Sequence, residues 1–201
     1  MKAKVLELLT KIVSLGDTLT DTTKQELQHR FLVLMAILMS FGGIIWGAIC
    51  VVFDLVYISL IPFGYTILSA LNLFSFYRRK NFQATRNFQL AISLLLPFFL
   101  QWALGGFVLS GAVMLWATLA IIGSLTFGDK RSSIEWLIIY ILMTILSGFI
   151  EFVMYSQQVS IVIRWTSVIF FVINIVIVSS IVFGLTIYLQ NQQEIANRQF
   201  E

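Results

Sequence analysis

The chain has 201 residues, of which 59% are hydrophobic and 11% charged, with a mean hydropathy of +0.92. Soluble domains are about 25% charged, so a water-exposed fold of this size is excluded and the solvent for most of the chain is lipid. A formal charge of +3 is too small to read the basic pI as a nucleic-acid signal, and one cysteine, Cys50, excludes a disulfide framework within the chain.

The first residues do not read as a signal peptide, since they lack a long apolar core and a small-residue cleavage site. Val5, Leu8, Leu9, Ile12 and Leu15 recur at helical spacing, with Lys2, Lys4 and Lys11 nearby. This predicts an amphipathic interfacial helix over 1–21, ended by Gly16-Asp17. Thr23-x-x-Glu26 predicts a capping box that starts the helix entering the bilayer.

A spanning helix needs roughly 20 mostly apolar residues. The sequence predicts six such spans within 22–189, near Phe31–Phe53, Leu55–Phe76, Phe88–Leu104, Phe107–Phe127, Ile134–Val153 and Trp165–Leu189. The runs are continuously apolar, which favours helices over a barrel. The fold class is therefore an all-α polytopic membrane protein. With the N-terminus inside, twelve of the 13 Lys and Arg fall on inner segments and Arg164 alone falls outside. The positive-inside bias then places both termini in the cytoplasm. A second box, Ser132-x-x-Glu135, predicts the start of the fifth span.

"PFFLQWALGGFVLSGAVMLW", Pro97 to Trp116, interrupts an apolar run with an amide, an indole and bare backbone. Gly105-Gly106 predicts a tight reversal between the third and fourth spans. Trp102 suits head-group depth, while a buried Gln101 amide needs a partner. Pro97 removes one backbone bond of the third span. Two readings stay open: polar glue between helices, or the rim of a ligand pocket. Gln101, Trp102, Ser110, Trp116 and Asn72 are the candidate pocket residues, with helix packing as the competing role of Trp116 and Asn72. Asp54, Glu151 and Arg164 are outer charges, read either as an outer salt bridge or as solvated ends. His29 and Cys50 do not make the paired intramembrane ligation a haem would need within one chain, and no metal site is expected. Tyr188 and Ile195, seven apart on the polar tail 190–201, predict that the sixth span continues as a helix toward a dimer seam.

Leu104-Gly105-Gly106-Phe107, Ser110, Leu115-Trp116, Gly123-Ser124-Leu125-Thr126-Phe127-Gly128, Lys130-Arg131 and Trp136 together resemble the six-helix membrane domain that precedes the catalytic domain of many bacterial class III adenylate/guanylate cyclases. The resemblance covers nearly all of Lys24 to Glu201. It implies a receptor or regulatory domain, a homodimer in the bacterial inner membrane, a small or lipophilic ligand, and output through the sixth span. It further implies that ATP or GTP and a divalent metal belong to a catalytic domain beyond Glu201. These 201 residues themselves hold no Gly-rich phosphate loop, metal-ligand cluster or activated nucleophile. Glu135 departs from the family pattern, where an uncharged residue is expected, and its capping role accounts for it. The rival classes are a small multi-pass transporter and a passive membrane anchor. The spans carry no Lys, Arg, Asp or Glu near their centres.

Overall fold

The computed structural model describes residues 21–126, 130–155 and 165–198. The interfacial segment 1–20, Arg164, and the side chains of Tyr188 and Ile195 lie outside the described set. Every element described is helical. They are α1 (Thr23–Val52), α2 (Val56–Arg79), α3 (Phe82–Ala103), α4 (Phe107–Ser110), a 3₁₀ turn (Val113–Ala117), α5 (Thr118–Thr126), α6 (Lys130–Ile150), a π-helical turn (Glu151–Tyr155) and α7 (Trp165–Arg198).

Local chemistry sets the ends. Thr22 caps α1: its hydroxyl accepts from the Gln25 N–H at 3.4 Å, and Gln25 Oε1 accepts from the Thr22 N–H at 2.8 Å. This is the capping box one residue earlier than predicted. Thr22-x-x-Gln25 and Thr23-x-x-Glu26 both fit the motif, and Glu26 instead reaches Arg30 at 3.5 Å along the helix. Ser132-x-x-Glu135 is not a cap either. α6 already runs from Lys130, and Glu135 pairs with Arg131 at 3.3 Å, one turn away and exposed. Lys80, in the left-handed region at φ 53°, closes α2 by donating its N–H to the Phe76 carbonyl, and Asn81 Oδ1 opens α3 by accepting from the Ala84 N–H.

α1 and α3 form the centre. Phe31, Leu32 and Met35 of α1 pack with Leu94 and Phe98 of α3 and Leu119 and Ala120 of α5. Close approach is built in at Gly42, where a Cβ would collide with the Trp116 ring. α6 is the opposite case. Within Arg131–Met154 an 18-residue window reaches a mean hydropathy of 2.3, yet only 6% of that window is buried. Ile138, Leu142, Ile145 and Phe149 face outward. Such a surface is stable against hydrocarbon, not water. Four helices are long and apolar enough to cross a membrane: Gln25–Val52, Val56–Arg79, Arg131–Met154 and Ser167–Ile187.

The stretch 107–126 is not one continuous helix. It is a single turn of α-helix, a break with Gly111 at φ 61° and Ala112 at φ 55°, a 3₁₀ turn, and nine residues of α5. The pieces still join the two ends of the bundle. Glu151 meets Phe107 at one end, and the Ser133 hydroxyl donates to the Ser124 carbonyl at the other, at 2.8 Å.

Candidate functional site

The reversal after α3 is built as its glycines predict. Gly105 and Gly106 take φ of 95° and 94°, and the Gly106 N–H donates to the Gln101 carbonyl at 3.0 Å. Such values are open to glycine and costly for other residues. Glu151 completes the turn. Its Oε2 accepts from the Phe107 N–H at 2.9 Å, and its carboxylate fills the space a Gly106 Cβ would need. Glu151 is therefore a half-buried helix cap supplied from the π-helical turn that follows α6, rather than a solvated end charge, and Arg164, its partner in the outer salt-bridge reading, lies outside the described residues. Asp54 has a local role: at φ 61° and exposed, it turns the chain between α1 and α2. The Trp102 indole donates to the Ser147 hydroxyl at 2.8 Å, tying α3 to α6.

The break four residues on is held by a residue the sequence reading passed over. Asn174, in α7, is fully buried. Its Nδ2 donates to the carbonyls of Ser110 and Gly111 at 3.3 and 2.8 Å. Its Oδ1 accepts the indole N–H of both Trp46 and Trp116, at 3.0 and 2.9 Å. A carboxamide has two donor hydrogens and two acceptor lone pairs, and all four are used. The carbonyls freed by a broken helix are the groups hydrocarbon cannot satisfy, so one amide from α7 repairs the break. The visible signal was a lone Asn inside the apolar run Ser167–Ile187, whose most apolar 18 residues have a mean hydropathy of 2.8.

Gln101 is fully buried beside this break. Its Oε1 accepts from the Met114 N–H at 3.4 Å, and its Nε2 has no hydrogen-bond partner among the described residues. The Ser110 hydroxyl turns back to the Phe107 carbonyl at 3.4 Å. Gln101, Ser110 and Trp116 are thus gathered at one place, with Trp102 one residue along α3.

Asn72 lies elsewhere. Its Nδ2 donates to the Thr85 carbonyl and to Gln89 Oε1, at 3.0 and 3.1 Å. Gln89 Nε2 donates in turn to the Tyr65 hydroxyl at 2.9 Å, which lies 3.0 Å from the Ser93 hydroxyl. This buried ladder joins α2 to α3 and is interhelical packing, two turns along α2 from Tyr65. Its Tyr65 end reaches a cleft of about 40 Å³ that Gly42, Trp46, Pro62, Pro97 and Trp116 also line. Drug-sized ligands occupy about 300–1,000 Å³, so this cleft admits one only after the helices part.

His29 is buried between the Phe76 and Phe82 rings, with Nδ1 3.2 Å from Asp21 Oδ2. Cys50 is buried in α1. Among the described residues no three His, Cys, Asp or Glu side chains gather to hold a metal. Set against protein-family models, curated proteins and solved structures, the chain matches none of them.

Proposed function

We propose that this chain is the membrane receptor and dimerisation module of a bacterial class III adenylate/guanylate cyclase. It crosses the inner membrane six times and passes a signal from the Gln101–Trp116 region to a cytoplasmic effector. α3 and the pieces from Phe107 to Thr126 supply the third and fourth crossings. Arg30, Arg78, Arg79, Lys80, Arg86 and Arg131 cluster at one end of the bundle, while Asp54 and Glu151 stand at the other. The positive-inside rule assigns the basic end to the cytoplasm.

The observation that carries the reading is Asn174. The helix that grips the broken segment is the helix that leaves the bundle. α7 has 34 residues, about 51 Å at 1.5 Å per residue, against roughly 30 Å of hydrocarbon. A small lipophilic ligand that wedges apart Trp116, Trp46 and Gly42 must disturb the Asn174 contacts, and with them the position of α7. Signal results only when the ligand binds the two arrangements unequally. A broken helix also occurs in transporters, where freed carbonyls coordinate an ion. Here Asn174 occupies those carbonyls, which favours a switch over a transport site.

The test is to read the coding frame past Glu201 for a class III cyclase domain. Cyclic-nucleotide output of the full-length protein is then compared with that of a version whose spans are replaced by an unrelated dimerising membrane segment. Altered regulation supports the receptor role, and unchanged output means a passive anchor. No cyclase in the frame, or ion-coupled uptake by reconstituted vesicles, overturns the reading.

A further inference from the structure

A second cleft lies at the basic end of the α2–α3 hairpin, apart from the Asn174 break. Asn72, Ser75 and Arg79 of α2, the α3 cap Asn81, and Thr85 and Phe88 of α3 line a volume of about 290 Å³. Asn72 and Thr85 form its buried floor, while Arg79, Asn81 and Phe88 are exposed around it. The neighbouring cations are directed elsewhere. The Arg78 guanidinium sits 5.4 Å above the Phe74 ring, and the Lys80 ammonium 5.6 Å above the Tyr77 ring, along the outer surface of α2.

The charge around this cleft has one sign. Arg78, Arg79, Lys80 and Arg86 fall in a stretch, 55–126, that contains no Asp or Glu. The N-terminus of α3 adds the positive end of a helix dipole at the same place. Tyr77, exposed between Phe74 and Phe88, suits head-group depth along the hairpin. A polar, cationic hollow with an apolar flank, opening at that depth, matches one molecule the bilayer supplies in excess. We propose that the cleft seats the phosphate of an anionic phospholipid. Arg79 pairs with the phosphate, Ser75 and Asn81 offer further donors, and Phe88 borders the first acyl carbons. A free phosphate ion would leave the apolar flank unused, and a zwitterionic lipid would bring a fifth cation among four. This site is independent of any effector and goes beyond the receptor reading.

The experiment reconstitutes the full chain in phosphatidylcholine nanodiscs doped with phosphatidylglycerol and counts retained lipids by native mass spectrometry. Phosphatidylglycerol is expected to be enriched on the protein and to raise its unfolding temperature. Arg79→Gln should lower that occupancy about fivefold, and Arg78→Gln less than about twofold. Arg79→Lys, which keeps the charge, should retain most of it. Equal losses from Arg78→Gln and Arg79→Gln would mean diffuse surface charge and overturn the site. So would equal retention of the two lipids, or displacement by millimolar inorganic phosphate, which would mark a free-anion site. Unfolding of Arg79→Gln in pure phosphatidylcholine is the folding control. Should that variant not fold, the lipid-dependent shift of the unmodified chain and the occupancy of Arg79→Lys decide.

Discussion

Trp116 and Asn174, 58 positions apart, meet through an indole N–H donated at 2.9 Å to the Asn174 carboxamide oxygen. The same oxygen takes the Trp46 N–H, so α1, the broken segment and α7 converge on one buried atom. Replacing Asn174 with Leu strands two indole donors and two carbonyls where no water replaces the lost partner. Each orphaned group costs about 1–3 kcal/mol. Asn174→Leu should lower the thermal midpoint in detergent by at least about 5 °C. Asn174→Asp keeps the acceptor and loses both donors, and should also destabilise. A wild-type midpoint in both variants would mean that the break does not depend on α7.

Gly106 and Glu151 form a coupled pair. Gly106→Ala combines an unfavourable φ with a collision at the Glu151 carboxylate and should destabilise by about 1–3 kcal/mol. Glu151→Gln keeps an acceptor for the Phe107 N–H and should cost less than Glu151→Ala, which loses the cap at about 1 kcal/mol. Chemical denaturation of the three variants in one detergent ranks them, and the reverse order would remove Glu151 from the turn.

Gln101 is the place to separate stability from signalling. Its Nε2 is buried with no partner among the described residues, so Gln101→Leu gives up one long bond to Met114 and relieves a desolvated donor. The unfolding free energy should stay within about 1 kcal/mol of the parent's, or rise. Under the receptor reading, ligand response should fall with folding intact. A loss above about 2 kcal/mol would show that the amide is structural.

Trp102 and Ser147 predict a double-mutant result. Trp102→Phe and Ser147→Ala each remove the 2.8 Å bond between α3 and α6 and should each cost about 1 kcal/mol. The double variant should cost less than the sum by about the worth of the bond. Strict additivity would mean that the bond contributes nothing.

The sequence made several elements legible because their causes are local. Long apolar runs announce the four crossing helices, and two adjacent glycines announce the turn at 105–106. The break at 111–112 was not legible. Ser110-Gly111-Ala112 lies within an apolar run and carries no Pro or charge, and what stabilises the irregular backbone is Asn174, 62 residues past Ala112. The capping role of Glu151 was not legible for the same reason: a carboxylate at a helix end looks solvated until another helix end is brought to it. The candidate residues Gln101, Ser110 and Trp116 share a location because the hairpin folds them together. Asn72 was grouped with them on residue type alone, and its partners across the α2–α3 interface come from register rather than composition.

α6 buries few residues against the rest of the molecule, with Trp136, Tyr140 and Met143 its larger core contacts, and lipid supplies no hydrophobic force to press it there. It is buttoned on as well, by Ser133 to the Ser124 carbonyl, by Ser147 to the Trp102 indole and, from the π-helical turn that ends it, by Glu151 to the Phe107 amide. Buttons do not slide. Turning or shifting α6 undoes whole hydrogen bonds, so its allowed positions are discrete registers rather than a continuum.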